Sequence, residues 1–83
     1  MRIRVKLFAQ LRDRAATGDV LCELPAGETA TVADVWQSLI VMHPALAPFA
    51  SSVSSAVNAE YAKRQTQVHD GDEVAFLPPV SGG

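Results

Sequence analysis

One stretch of this sequence limits the fold more than any other. Between Thr31 and His43 the apolar residues Val32, Val35, Trp36, Leu39 and Ile40 recur at helical spacing and make a single continuous stripe. Thr31 stands where its hydroxyl can accept from the free N–H groups of a first turn. Asp34 follows three residues later, in the place of the Glu or Gln of a capping box. His43-Pro44 ends the run, because proline disfavours helical geometry in the residue before it. One helix with one apolar stripe covers one face of one sheet. The rest of the chain has to supply that sheet, since no second long helix is apparent.

Strand patterns lie on both sides of the helix. In residues 2–8, Ile3, Val5 and Leu7 share one face and Arg2, Arg4 and Lys6 the other. By parity Phe8 falls on the charged, outward side. Ala9–Ala16 reads as a helical turn or an ordered loop, and Gly18-Asp19 as a turn. Val20, Cys22 and Leu24 alternate with Leu21 and Glu23 in a second strand, which Pro25 and Gly27 end. After the helix, Pro44–Ala50 is apolar and broken by Pro48, a packed loop with at most one helical turn. Val53–Asn58 reads as a weak strand, Asn58-Ala59-Glu60 as a turn, Gln65–Val68 as a short polar strand near an edge, and Asp70-Gly71-Asp72 as a tight turn. Glu73–Leu77 is the last strand, with Val74 and Phe76 inward and Ala75 and Leu77 outward.

If the first and last strands pair in the middle, these pieces make an α+β fold of the β-grasp, or ubiquitin-like, kind. The expectation is a mixed sheet of four to five strands wrapped on one main helix, with residues 1–77 as the body and 78–83 as an extended tail. Composition narrows the function classes. The 83 residues carry 7 Lys+Arg against 9 Asp+Glu, so the basic patch that a nucleic-acid partner requires is not expected. The longest apolar runs, such as Leu39–Met42, are far too short to span a membrane. The alternating start, Met1 to Lys6, does not read as a signal peptide. One cysteine cannot form an internal disulfide and gives a zinc site only one thiolate. These bounds point to a cytoplasmic protein of a reduced compartment.

The tail carries the chemical signal. Pro78-Pro79 stiffens the exit from the last strand into an extended conformation. Val80 and Ser81 follow, and then Gly82-Gly83 leaves no side chain beside the terminal carboxylate. A residue without Cβ passes a narrow channel and admits close approach of another backbone. Six extended residues span roughly 20 Å, enough to carry a carboxylate into a partner's pocket.

At this point the sequence resembles the family of ubiquitin-like sulfur carriers to which the small subunit of molybdopterin synthase belongs. The matching pieces are Val5-Lys6-Leu7-Phe8-Ala9-Gln10-Leu11-Arg12, then Val57-Asn58, and the run from Asp70 through Phe76-Leu77-Pro78-Pro79-Val80-Ser81 to Gly82-Gly83. The polar segment Lys63–Thr66 and the Pro- and Ala-rich run after the helix depart from the family's pattern, and neither touches the tail.

The resemblance implies a cycle. An ionised carboxylate is a poor electrophile, so an adenylyltransferase of the ubiquitin-activating type would use ATP and Mg²⁺ to make an acyl-adenylate on Gly83. A sulfur donor of the cysteine desulfurase or rhodanese type would then leave a Gly83 thiocarboxylate. The large synthase subunit would receive that tail, and its own acid–base groups would pass the sulfur to cyclic pyranopterin monophosphate. No permanently bound cofactor and no metal is implied for the carrier itself. A heterotetramer of two small and two large subunits is implied.

In a β-grasp, Phe8 and Leu77 both stand on the solvent face at the root of the tail, and apolar residues so placed are common docking anchors. The resemblance adds Tyr61 as a third member, against the alternative of an ordinary turn aromatic. It also gives Pro78, Pro79, Val80, Ser81 and Gly82 as partner-contacting residues. Other readings stay open on sequence alone: a carrier for thiamine or tRNA thiolation, a ubiquitin-like modifier of lysines, or a plain interaction domain with an inert tail. Cys22 reads as a buried structural thiol. His43 and His69 read as surface or loop residues, and Asp70, Asp72 and Glu73 as a turn lacking the length of a calcium loop. Trp36 reads as core, and the row Arg2, Arg4 and Lys6 as a solvated face that can supplement docking.

Overall fold

The computed structural model describes residues 1–25 and 29–79. Its main sheet has five strands: β1 (Arg2–Leu7), β2 (Asp19–Glu23), β4 (Ser54–Val57), β5 (Glu60–Ala62) and β7 (Glu73–Leu77). Their order is β2-β1-β7-β4-β5. The first and last strands of the chain run parallel in the middle, with Arg4 opposite Glu73 and Leu7 opposite Phe76. β1 and β2 pair antiparallel. The helix α2 (Val32–Met42) crosses the inner face, so the architecture is the β-grasp.

The parity of β1 explains that placement. Ile3, Val5 and Leu7 are buried together with Cys22, Val74 and Phe76 from neighbouring strands. Val32, Val35, Trp36 and Leu39 of α2 close over them. Trp36 meets Phe76 edge to face, ring centroids 5.0 Å apart, an arrangement that aligns a ring edge with a ring face. The α2 start is set as its sequence requires. The Thr31 hydroxyl accepts from the Asp34 N–H, and the Asp34 carboxylate accepts from the Thr31 N–H. His43 closes the other end.

Several local expectations are corrected. The first strand ends at Leu7, and Phe8 caps α1 (Ala9–Ala15), a true helix inside the β1–β2 connection. Leu11 and Ala15, one turn apart, are the two residues it buries. The second strand is Asp19–Glu23, one residue earlier than its pattern suggested at each end, while Gly27 lies outside the described residues. The run after α2 is a 3-10 helix, Pro44–Phe49, which buries Leu46. Val53 precedes β4, and the hairpin turn is Asn58-Ala59, both at positive φ, with Glu60 already in β5. A mirror-image turn of this kind matches the right-handed twist of the strands it joins. The polar strand before the Asp70 turn is shorter than expected, β6 (Gln67–Val68). It pairs outside the main sheet with β3 (Ala30–Thr31). Gly71 supplies the left-handed backbone that the last turn needs.

Candidate functional site

The outer face of the sheet carries one cross-strand row that shapes a surface. Lys6 lies opposite Ala75, Ala75 opposite Ala56, and Ala56 opposite Tyr61, across β1, β7, β4 and β5 in turn. Side chains opposite one another on one sheet face are near neighbours. The two alanines in the centre leave the row low between its long ends. The result is an open depression of about 350 Å³ lined also by Phe8, Ala59, Glu73 and Leu77.

The structure therefore brings Phe8, Tyr61 and Leu77 to one surface. Phe8 is about half exposed, and Tyr61, in β5 rather than in a turn, is 88% exposed. Leu77 is half-buried, Pro78 half-buried and Pro79 exposed. The parallel register sets this meeting. Leu7 and Phe76 are partners facing the core, so the next residue in each chain, Phe8 and Leu77, emerges on the opposite face. Val80, Ser81, Gly82 and Gly83 lie outside the described residues.

Charge borders the apolar floor. The Lys6 ammonium donates to the Asp19 carboxylate, and that hydrogen bond and attraction raise the Lys6 pKa, with a smaller contribution from Glu73. Lys6 is thus firmly cationic at one end of the row. At the base of β7, the Asn58 side-chain amide donates to Asp72 and its carbonyl accepts from the Glu73 N–H, at 3.1 Å each. Asp72 also accepts the His69 N–H at 2.8 Å. These bonds hold the Asp72 carboxyl below its ordinary pKa, the His69 backbone donor contributing most and Asn58 next. They fasten the β4–β5 turn to β7, and so fix the wall of the depression that Ala59 and Tyr61 provide.

Sequence reasoning found the three large apolar members but missed Ala56, Ala59 and Glu73. The signal available was a small residue, Ala56, at an outward position of a central strand, opposite another, Ala75. Cys22 stands apart from this surface. It is fully buried, and burial pushes its thiol pKa up, partly offset by a hydrogen bond with Ser38. No group of three or more His, Cys, Asp or Glu suited to a metal ion occurs among the described residues. Among them too, no helix is long and apolar enough to cross a membrane.

The family model described as the ThiS family matches residues 5–83. The chain belongs to the ThiS family. The match runs through the tail as well as the body. Two relatives match over the whole length of this chain. The molybdopterin synthase sulfur carrier subunit of Chlamydomonas reinhardtii is 39% identical over 85 residues, covering all of both chains. That of Arabidopsis thaliana is 34% identical over 83 residues, covering all of this chain and 84% of the other. Among solved structures, the crystal structure of SAMP1 from Haloferax volcanii superposes with a TM-score of 0.88 at 32% identity, again over the full length of both chains. This ThiS-family chain thus shares its β-grasp body with proteins bearing two different functional names.

Proposed function

We propose that this ThiS-family chain is the sulfur carrier of molybdopterin synthesis. The observation that carries the reading is the full-length similarity to relatives named for that role, joined to the Pro78-Pro79-Val80-Ser81-Gly82-Gly83 sequence and to the apolar depression that Phe8, Tyr61 and Leu77 line. In the proposed cycle a ubiquitin-activating-type adenylyltransferase binds the Phe8–Tyr61–Leu77 surface and receives the tail. One carboxylate oxygen of Gly83 attacks the α-phosphorus of ATP, held with Mg²⁺ by that enzyme, and pyrophosphate leaves. A donor sulfur then attacks the acyl carbon of the adenylate and AMP departs. Where the donor is a persulfide, a second thiol takes up the donor's remaining sulfur as a disulfide, and the thiocarboxylate is released.

The loaded carrier next docks on the large synthase subunit through the same surface. Its sulfur attacks a carbon of the pterin precursor and displaces an oxygen substituent there. Water then attacks the Gly83 acyl carbon of the resulting thioester, so that the pterin thiolate leaves and Gly83 returns to a carboxylate. This chain contributes positioning and the sulfur nucleophile. Phe8, Tyr61 and Leu77 set the body against the partner, Pro78-Pro79 directs the exit, and Gly82-Gly83 admits the reacting carbon to a narrow channel. Proton transfers belong to the partners.

The test is a reconstituted synthase assay with purified large subunit, activating enzyme, ATP and a sulfur donor. Removal of Gly83 abolishes sulfur transfer to cyclic pyranopterin monophosphate while the body stays folded. Transfer at the full rate without Gly83 refutes the reading. The similar small archaeal modifier protein 1 of Haloferax volcanii represents the competing reading, which predicts conjugates between Gly83 and lysines of other proteins in the native cell.

A further inference from the structure

The strand β2 is one edge of the five-stranded sheet, and among the described residues it pairs with β1 alone. Its free side can be read from the ladder. The Leu24 N–H donates to the Met1 carbonyl, the Met1 ammonium donates to the Leu24 carbonyl, and the Leu7 N–H donates to the Gly18 carbonyl. Bonded and non-bonded pairs alternate along an antiparallel ladder. Cys22 and Val20 therefore turn their backbone groups toward Ile3 and Val5, and Asp19, Leu21 and Glu23 turn theirs outward. All three of those residues are exposed. An unpaired edge of this kind accepts another strand.

Beside the end of this edge lies a depression of about 550 Å³, between β2 and α2. Leu24, Ala30 and Val41 give it an apolar lining, Gln37 and Ser38 line one wall, and among the described residues Glu23 and Asp34 are its charged members. Val41 is 80% exposed there, a large apolar side chain on a helix whose other face is core.

Charge selects the occupant. On the outer face, β1 presents Arg2, Arg4 and Lys6, and β2 presents Glu23, Leu21 and Asp19 directly opposite them. Arg2 pairs with Glu23 and Lys6 with Asp19. A carboxylate has further acceptor sites beyond one partner, so a strand added outside β2 meets an acidic–apolar–acidic row. A second copy of this chain is a poor fit. Antiparallel pairing of two β2 edges centred on Leu21 sets Asp19 of each against Glu23 of the other, and like charges directly opposite destabilise a pair.

We infer that the β2 edge and its adjoining α2 groove bind an extended segment of a partner protein in which two basic residues flank an apolar one at alternate positions. The segment adds to the sheet through the outward N–H and C=O groups of Leu21. Its basic side chains lie beside Asp19 and Glu23, and an intervening apolar residue enters the groove beside Leu24 and Val41. In the sheet order β2 and the Tyr61 strand are opposite edges. This contact therefore leaves the tail-side surface free, and the inference stands whatever group Gly83 carries.

The test uses the isotope-labelled full chain and two blocked peptides, Ser-Lys-Val-Leu-Val-Lys-Ser and its counterpart with Glu in place of Lys, followed by amide NMR. The basic peptide gives saturable shifts centred on Asp19, Leu21, Glu23 and Val41, and the acidic peptide gives none. The double variant Asp19→Asn with Glu23→Gln keeps its fold and binds roughly tenfold more weakly, the scale two exposed ion pairs supply. Leu21→Pro, checked for folding by its amide spectrum, removes an outward donor and abolishes the shifts. Absence of binding by the basic peptide, equal binding of both peptides, or shifts centred on Phe8, Tyr61 and Leu77 overturns the proposal. So does a concentration-dependent dimer held through β2.

Discussion

Leu7 and Phe76 are direct partners in the parallel pairing of β1 with β7, and both are buried. Because side chains alternate across a strand, the residues after them, Phe8 and Leu77, emerge together on the other face. A register slip of one residue would send one of them into the core. The pairing that builds the centre of the fold therefore also brings Phe8 and Leu77 to the same outer depression.

The surface residues should separate binding from folding. Phe8→Ala and Tyr61→Ala remove exposed side chains, so each changes stability by about 0.5 kcal/mol or less. Under the proposed docking, each weakens binding to the large subunit and to the activating enzyme by roughly tenfold or more. Calorimetric titration of each variant, beside thermal unfolding of the free chain, measures both effects. Undiminished affinity for both partners would remove the surface from the account.

The buried face responds in the opposite way. Phe76→Ala deletes a core ring in edge contact with Trp36 and costs about 3–5 kcal/mol. Denaturant unfolding reads that loss, which for a domain of this size is a large fraction of the total.

Cys22 is not the sulfur-carrying group in this account. Burial keeps its thiol protonated above the ordinary range, and the thiolate is the reactive form. Iodoacetamide at neutral pH leaves the folded chain unmodified and labels it once denatured. Cys22→Ala retains full sulfur transfer at a stability cost of about 1 kcal/mol. Loss of transfer in a folded Cys22→Ala chain would move the chemistry off Gly83.

Acid should loosen the wall that carries Tyr61. The Asp72 pKa lies below its unfolded value, so its contribution to stability is complete above the ordinary carboxylate range near pH 4 and is lost as pH falls through the lower, folded value. Asp72→Ala frees the donors of His69 and Asn58 and costs roughly 1–2 kcal/mol at neutral pH. It also flattens the acid limb of the stability profile. Urea unfolding of both chains between pH 2 and about pH 7 tests this sign.

Much of this architecture can be read from pattern alone because a few residues do the sorting. Ile3, Val5 and Leu7 specify one inward face, the Val32–Ile40 stripe one helix, and Val74 and Phe76 the closing strand. The small sheet is legible only in part: β6 shows as the end of a short polar strand, whereas β3, two residues long, has no periodicity, and Val68 finds Ala30 only through the tertiary fold. The helix α1 is ambiguous for a related reason. Phe8 offers no capping side chain, and one buried pair, Leu11 and Ala15, is too short a stripe. At the site, Phe8 and Leu77 betray themselves as apolar residues on a charged face. Ala56 and Ala59 do not, because the floor that one gives and the wall that the other gives come from the pairing of neighbouring strands and not from either residue alone.

The central claim is that Gly83 carries sulfur. Intact-mass spectrometry of the chain after incubation with the activating enzyme, MgATP and a sulfur donor addresses it directly. The account predicts a mass gain equal to one oxygen replaced by one sulfur, localised by fragmentation to Gly83 and lost on addition of the large subunit with its pterin substrate. An unchanged mass with an activating enzyme shown to be competent, or sulfur found on Cys22 instead, would contradict it.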